Sequence, residues 1–255
     1  MEISCTDFKS KYIIVMRHAE RADCAYKKCT FEEDDTELST LGDEQSIDIG
    51  LQLKEFCETK NIPVLKSNVT VISSPFSRTI MTASKVLEGL GVIEEFDNFY
   101  LCNGLGEYLN EWQFTENPFN VIAVNNKESV HYQTLSENYL SAMKPIKWIE
   151  KSLDSEVGYP ESASDNQSRY TSTFYKLVDN FIDLSETRIF VISTHGYGVL
   201  HIEKYIDYNT NSYSVDYCQS LVIDFGPEGC NILTTWYPRI KKKSLYKFQF
   251  LVYLH

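Results

Sequence analysis

Apolar runs rich in β-branched residues, each bounded by polar residues, recur along the chain at 12–16, 69–73 and 189–194. Runs of this kind are typical of strands that are buried on both faces inside a parallel sheet. Two further apolar runs, 221–225 and 232–236, flank a Gly-Pro-Glu-Gly sequence and predict a β-hairpin. The pattern therefore predicts a central sheet that is mostly parallel and ends in a hairpin.

The segments between these runs have apolar residues at helical spacing. They predict helices over 42–59, from about Pro75 onward, over 135–153, through 170–181 and over 199–206. Strands that alternate with helices predict an α/β fold in which helices cover both faces of the sheet. The chain length favours one domain over 1–255, with the irregular region of about 92–162 as an insert that caps the site.

The charge balance excludes several classes of partner. The formal net charge is −12 and the sequence pI is about 4.9, so the chain lacks the basic surface that nucleic acids or anionic membranes need. Residues 23–37 are mostly acidic and predict a solvated loop. The sequence shows neither a basic, apolar signal peptide nor a run of about 20 apolar residues, so we expect a cytoplasmic protein that does not bind a membrane.

The seven cysteines are scattered and odd in number. This usage argues against a disulfide framework and fits a reducing compartment. Cys24 and Cys29 are spaced as metal ligands can be, but no second Cys/His pair follows at the distance that a zinc site needs. We therefore expect structural or free thiols, no bound metal and no cofactor.

Basic residues follow the predicted parallel strands where those strands end. Arg17 and His18 close the first apolar run, and His195 follows the third. Arg78 comes shortly after the second run, in the first turn of a predicted helix whose N-terminus would also favour an anion. Because ligands bind at the carboxyl ends of strands in open α/β sheets, we expect these side chains to meet at one edge.

Such a group is suited to phosphoryl transfer. Arginine side chains neutralise phosphoryl oxygens with paired hydrogen bonds, and a neutral imidazole can attack phosphorus. Either His18 or His195 is then the nucleophile, and the other stabilises charge in the transition state. Glu107, which follows two glycines in the irregular region, is the candidate for the acid that protonates the leaving alkoxide.

Three motifs together resemble the histidine phosphatase superfamily, which has the phosphoglycerate mutase-like fold. They are Arg17-His18 after a strand, Ser74-Pro75 with Arg78 and Thr82-Ala83, and His195-Gly196 after another strand. The resemblance implies that His18 is the nucleophile, that Glu107 is the proton donor, and that a phosphate pocket is formed by Arg17, Arg21, Arg78 and His195. It also implies a phosphohistidine intermediate, without a metal ion.

Two shorter stretches, 17–23 and 159–162, are similar to the phosphatase domain of the ubiquitin-associated and SH3-containing T-cell signalling suppressors. One departure from the superfamily is Ala19, where glycine is most common after the nucleophile. Another is the lack of any arginine between Arg78 and Arg169, because phosphoglycerate mutases resemble one another in an arginine-rich insert there. The resemblance therefore favours a phosphatase over a mutase.

Three functions remain open at this point. The first is a metal-independent phosphomonoesterase that acts through phosphohistidine on a small phosphorylated molecule or a phosphotyrosine-like protein segment. Tyr108, Trp112 and Phe114 are candidates for an aromatic wall against such a substrate. The second is a phosphoglycerate mutase-type phosphotransferase, and the third is a non-catalytic scaffold. A homodimer is possible through the apolar edge at 248–254.

Overall fold

A computed structural model describes residues 10–24, 35–94, 96–120, 122, 124, 139 and 146–240. The strands are β1 Lys11–Arg17, β2 Val69–Ser73, β3 Phe99–Leu101, β4 Lys147–Trp148, β5 Ile189–Thr194, β6 Ser220–Gly226 and β7 Gly229–Trp236. The α-helices are α1 Thr40–Thr59, α2 Ser77–Leu90, α3 Ala163–Leu177 and α4 Gly196–Ile206. Within the described residues, no helix combines the length and the apolar character that crossing a membrane requires.

The strands form one seven-stranded sheet in the order β4-β3-β2-β5-β1-β6-β7. The neighbouring strands from β4 to β1 are parallel, and β6 and β7 are added antiparallel as a hairpin. This arrangement confirms the predicted sheet and its closing hairpin. In the register of β1 with β5, Arg17 lies opposite Thr194, so the two strands end at the same level.

Each face of the sheet packs against a pair of helices. Alternate residues of β1 point to opposite sides, so that Ile14 joins the core under α1 and α2, whereas Ile13 and Val15 join the core under α3 and α4. All three side chains are fully buried. The structure thus confirms the predicted α/β class with helices on both faces.

Two glycines allow α1 and α2 to approach each other closely. A Cβ atom on Gly50 would lie 2.3 Å from the Val86 carbonyl oxygen, and one on Gly89 would lie 2.2 Å from the Ile47 carbonyl oxygen. Neither separation is possible for real atoms, so the helices can pack this way only with glycine at both positions. The contact fixes α2, which carries Arg78, against the rest of that layer.

The region of 92–162 is more regular than its sequence predicts. The helix predicted over 135–153 is wrong in its described part, because Lys147–Trp148 pairs with β3 as an edge strand. The pairing continues into Ile149, whose N–H donates to the Leu101 carbonyl. The range therefore supplies β3 and β4 to the sheet, in addition to the loop that bears Glu107. The apolar edge predicted at 248–254 lies outside the described residues.

The acidic segment of 23–37 is only partly described, and its described end is not solvated as predicted. Asp35 and Thr36 are both buried. The Asp35 carboxylate accepts hydrogen bonds from the backbone N–H and the hydroxyl of Ser77, at 2.6 and 2.8 Å. A carboxylate that caps a helix N-terminus is stabilised there, which explains why an acidic residue leaves the solvent.

The expectation for the thiols is wrong at one position. Cys24 is disulfide-bonded, whereas Cys57, Cys102, Cys218 and Cys230 are free thiols. A disulfide depends on the distance between two residues in the fold, which cysteine usage along the sequence does not give. The four free thiols agree with the expectation.

Candidate active site

Three adjacent strands bring polar side chains to one edge of the sheet. His18 follows β1, Ser74 follows β2 and His195 follows β5, and β5 lies between the other two. The backbone N–H of His18 donates to the Thr194 carbonyl at 2.9 Å, which fixes the two histidines side by side. Their ring centroids lie 5.4 Å apart. The structure therefore brings the two histidines together, as the sequence predicts.

His18 is held in one tautomer. Its Nδ1 lies 2.8 Å from the carbonyl oxygen of Ala19. Because a carbonyl oxygen can only accept, Nδ1 carries the proton and Nε2 keeps its lone pair. Burial lowers the pKa of His18 well below its usual value, and the charges of Arg78 and Arg17 lower it further. The result is a neutral imidazole at neutral pH, with Nε2 available as a nucleophile.

His195 and Glu107 form a buried pair beside it. His195 Nδ1 lies 3.0 Å from Glu107 Oε2, and its Nε2 lies 2.9 Å from the Ser74 hydroxyl. Burial lowers the pKa of His195 to about 4, although Glu107 opposes that shift. Burial alone would raise the pKa of Glu107, but His195 and Arg78 outweigh it and hold that pKa well below its usual value. Before a ligand binds, the pair is therefore a carboxylate beside a neutral imidazole whose Nδ1 faces it.

Arg78 lies against this pair from the first turn of α2. Its Nη2 donates to Glu107 Oε2 at 3.3 Å. The side chain is fully buried, and its guanidinium carbon lies 4.5 Å from the centre of the Phe76 ring. Burying an arginine is costly unless counter-charges lie close, and Glu107 and Asp35 both raise the pKa of Arg78, which burial lowers. At His18 the charges of Arg78 and Arg17 each act more strongly on the pKa than that of Glu107, so the potential there is positive and favours an anion.

Arg17 and Arg21 approach the same cleft from the other side. The Arg17 guanidinium stacks 4.2 Å over the Tyr217 ring and donates to the Val215 carbonyl. Arg21 donates two hydrogen bonds to the carboxylate of Asp23, at 2.9 and 2.7 Å. These contacts fix the direction of both guanidinium groups before any ligand arrives.

All six predicted residues lie in one part of the molecule. His18 contacts His195, His195 contacts Glu107, and Glu107 contacts Arg78. Arg17, His18, Arg21 and Glu107 line a cleft of about 400 Å³ that opens to solvent. The sequence-based set thus converges, and the cleft gives a ligand access to His18.

An N–H group at the start of α2, where we expected an anion site, is already hydrogen-bonded within the protein. We expected the unpaired N–H groups at the start of α2 to favour an external anion. The Ser77 N–H instead donates to the internal carboxylate of Asp35. That expectation is wrong for this group, because a residue distant in sequence supplies the negative charge that the helix N-terminus attracts.

The aromatic residues at the cleft differ from those predicted. Phe114 is buried in a small core with Phe76, and the Trp112 side chain is 98% exposed. Tyr108 packs 5.2 Å from Tyr197, which lines the cleft. The other aromatic residues that line it are Tyr213 and Tyr217. The density of tyrosines in 205–217 is the only signal in the sequence that could have indicated them.

The site offers ligand atoms for a cation as well as a pocket for an anion. One ligand atom each from His18, Glu107 and His195 can be chosen so that all lie within 4.8 Å of one another, a spacing that can hold a metal ion. The same atoms face Arg78 and Arg17, whose charges already lower the pKa of His18. A cation would meet the same repulsion, so the charge distribution favours an anionic ligand.

A larger cleft of about 710 Å³ lies near the β3–β4 edge. Its charged groups include Asp154 and Lys176. The Asp154 carboxylate accepts from the backbone N–H groups of Asn103 and Gly104, and Lys176 donates to the Asp154 carbonyl. These charges serve the local structure, so the smaller cleft at His18 is the candidate active site.

Comparison with known proteins finds similarity in structure only. No family model matches the chain, and no curated protein sequence matches it. Among solved structures, the ecdysone phosphate phosphatase of Bombyx mori, in complex with tungstate, is similar over 94% of this chain and 98% of its own. Its sequence identity is 15% and the TM-score is 0.59.

Two bacterial proteins have a similar fold. A mycobacterial glucosyl-3-phosphoglycerate phosphatase, in complex with VO3, is 16% identical and matches 89% of this chain and 99% of its own, with a TM-score of 0.52. YhfR of Bacillus stearothermophilus is 14% identical over 88% of this chain and 95% of its own, with a TM-score of 0.53. At such identities the similarity shows the fold alone. The chain has the phosphoglycerate mutase-like α/β fold.

Proposed function

We propose that this protein is a metal-independent phosphomonoesterase of the histidine phosphatase type, which acts through a phosphohistidine on His18. The observation that carries the proposal is the environment of His18. Its Nδ1 is fixed on a carbonyl oxygen, its pKa is well below the usual value, and a buried Glu107–His195 pair and Arg78 lie beside it. A neutral imidazole beside buried positive charge is what attack on a phosphate ester requires.

In the first step, the lone pair of His18 Nε2 attacks phosphorus and forms a P–N bond. The bond from phosphorus to the ester oxygen breaks, and its electron pair leaves with that oxygen. Arg17, Arg21 and Arg78 stabilise the phosphoryl oxygens as negative charge shifts onto them, and His195 donates a further hydrogen bond. Glu107 gives its proton to the departing oxygen, so the first product is a neutral alcohol.

The proton on Glu107 arrives with the substrate. The positive charges of the site hold the pKa of this carboxyl well below its usual value before substrate binds. A phosphate monoester brings one or two negative charges into the same space, which offsets those positive charges and raises the pKa of Glu107. The carboxyl then takes up a proton, either from solvent or from the monoanionic ester itself.

In the second step, the Glu107 carboxylate takes a proton from water. The water oxygen attacks phosphorus, the P–N bond breaks, and its electron pair returns to Nε2 of His18. Inorganic phosphate leaves, and the neutral imidazole is restored. A single carboxyl thus serves as acid in the first step and as base in the second.

The tyrosines of the cleft and the two short motifs suggest the substrate class. Tyr197, Tyr213 and Tyr217 suit a ring or an apolar surface next to the phosphate. The likeness of 17–23 and 159–162 to the T-cell signalling suppressors points in the same direction. We propose a phosphorylated small molecule or a phosphotyrosine-like protein segment as the substrate. Two proteins of similar structure are known in complex with tungstate and VO3, which supports an oxyanion at such a site.

A phosphoglycerate mutase-type phosphotransferase is the second candidate. It is less well supported because the described residues that line the cleft carry no cation beyond Arg17 and Arg21 to hold the carboxylate of a sugar acid. A non-catalytic scaffold is the third candidate. It would have no physical need for a buried arginine, two buried histidines and a buried glutamate in contact at one sheet edge.

The proposal is tested by hydrolysis of 4-nitrophenyl phosphate with excess chelator, from acidic to neutral pH. We expect turnover that survives chelation and is lost in His18→Ala, but kept in the control His201→Gln, whose histidine lies on α4 behind Tyr197 and does not itself line the cleft. Undiminished turnover in His18→Ala, or turnover that only added metal restores, would refute the mechanism. Folded protein without any turnover would favour the mutase or the scaffold.

A further inference from the structure

The loop that bears Glu107 is held in place mainly by side chains. Glu107 follows a single 3-10 turn, Asn103–Leu105, and belongs to no strand or α-helix. Its carboxylate must nevertheless stay near His195 and Arg78 if it is to reach the leaving oxygen. Regular backbone pairing does not fix its position, so other contacts must do so.

Arg169, which lies on α3, supplies most of these contacts. Its Nη1 donates to the carbonyl oxygens of Gly104 and Gly106 at 2.8 and 3.0 Å, and its Nη2 donates to the carbonyl oxygen of Glu107 at 2.9 Å. Three carbonyl groups within four consecutive residues thus converge on a single guanidinium. The side chain of Arg169 is almost fully buried, so water does not compete for these hydrogen bonds.

Glu161 in turn orients Arg169. The Nε and Nη2 of Arg169 donate to the two carboxylate oxygens of Glu161, at 2.6 and 2.8 Å. The same carboxylate accepts the backbone N–H of Leu109, and the Glu161 N–H donates to the Leu109 carbonyl. The ion pair is therefore bonded to the chain on both sides of Glu107 and at Glu107 itself.

Two neighbouring hydroxyl groups complete the support. The Tyr170 hydroxyl donates to the Gly106 carbonyl, and the Thr194 hydroxyl donates to the Leu105 carbonyl at 2.8 Å. All four carbonyl oxygens of 104–107 therefore accept a side-chain hydrogen bond. Within the described part of the chain, each hydrogen bond that Arg169 donates ends on this segment or on Glu161.

We infer that the buried Glu161–Arg169 ion pair is a positioning device for the general acid Glu107, and that it acts on the protonation of the leaving group. The inference rests on the proposed function. The ion pair therefore differs in role from the phosphate-binding arginines. Those arginines lie in β1, just after β1, and in α2. A small displacement of an acid from its reacting atom slows proton transfer strongly, whereas the nucleophile and the phosphoryl pocket stay in place.

The test compares two substrates that differ in their need for an acid. The leaving group of 4-nitrophenyl phosphate departs readily as an anion, whereas that of benzyl phosphate needs a proton. The readout is kcat/KM, which covers the steps up to departure of the leaving group. For Glu161→Gln and Arg169→Lys we expect kcat/KM on benzyl phosphate to fall at least about tenfold more than on 4-nitrophenyl phosphate. Glu107→Gln removes the acid itself, so it gives the largest difference between the two substrates that a displaced acid could cause.

Two controls separate positioning from loss of stability. Ile223→Ala removes buried side-chain atoms from β6, away from the 104–107 segment, and should affect both substrates equally. Tyr170→Phe removes one hydrogen bond to the segment and keeps the ring. It should shift the ratio of the two kcat/KM values in the same direction by a smaller factor, even if Arg169→Lys does not fold. The rise in Tm with tungstate should persist in Glu161→Gln.

The outcomes that contradict the inference differ from those that contradict the proposed function. Equal losses on both substrates in Glu161→Gln, Arg169→Lys and Tyr170→Phe would show a purely structural role and overturn the inference alone. An unchanged ratio in Glu107→Gln would remove Glu107 as the acid. Failure of the wild-type protein to hydrolyse either ester would overturn the proposed function, and the inference with it.

Discussion

A histidine that stays neutral because it is buried makes the folded state sensitive to acid. Burial lowers the pKa of His195 to about 4, from an ordinary value of 6.5. As the pH falls between these values, the unfolded chain takes up a proton on this imidazole and the folded chain does not. The unfolded state then binds more protons, so the free energy of unfolding must fall as the pH falls through this window.

The size of the effect follows from the two values. The difference between 6.5 and about 4 corresponds to about 3 kcal/mol when the whole window is crossed. About 2 kcal/mol of this is lost between about pH 7 and about pH 5. Burial also lowers the pKa of His18, which adds a loss in the same direction. A comparison of wild type with a variant at His195 alone isolates the first contribution.

The assay is urea unfolding of the wild type and of His195→Asn at about pH 7 and about pH 5, without phosphate in the buffer. Asparagine keeps a polar side chain next to Glu107 but has no proton to gain. We expect the wild type to lose about 2 kcal/mol more than the variant between the two pH values. The half-buried His201 provides a control, since His201→Asn should change the pH dependence less. Equal losses in wild type and His195→Asn would refute the account of His195 as a buried, neutral group.

Further predictions concern packing and the anion site. Gly89→Ala places a methyl group against the Ile47 carbonyl and should lower the free energy of unfolding in urea by about 1–3 kcal/mol. Gly158→Ala, where a Cβ atom meets open space, should lower it by less than about 0.5 kcal/mol. Equal losses in the two variants would contradict the packing argument. Arg78→Lys should lower kcat/KM on 4-nitrophenyl phosphate about 100-fold, because an ammonium group cannot replace the planar guanidinium that binds two oxygens at once. A change of less than about twofold would exclude Arg78 from the phosphoryl pocket. Tungstate should raise the Tm of the wild type, and less so in Arg78→Lys; an unchanged Tm in the wild type would contradict an oxyanion site.

The parts of the fold that could be predicted are those with strong local signals. β1 and β5 are continuous apolar runs that end in His18 and His195, and the general behaviour of parallel strands then places both histidines at one edge. The position of Arg78 at the same edge can also be predicted, because a proline and a helical pattern come directly after β2. These predictions needed no contact between distant residues beyond the pairing of the strands.

The remaining features depend on contacts between residues far apart in sequence. Asp35 belongs to an acidic run whose composition predicts a solvated loop, but the fold brings its carboxylate to the N–H of Ser77. Lys147–Trp148 becomes a strand only because β3 offers a free edge, and the local pattern there is helical. Likewise, no local signal connects Arg169 with the carbonyl groups around Glu107. Tertiary contacts override local preference at these positions.

The most direct test of the account is detection of the covalent intermediate. The purified protein is mixed with a phosphate monoester, stopped in base within the first turnovers, digested and analysed by mass spectrometry. Base preserves a phosphorus–nitrogen bond that acid destroys, so a second sample stopped in acid is the control. The account predicts phosphate on His18, present after the base quench, absent after the acid quench and absent in His18→Asn. Phosphate on another residue, or turnover without any phosphoprotein in single-turnover samples, would contradict it.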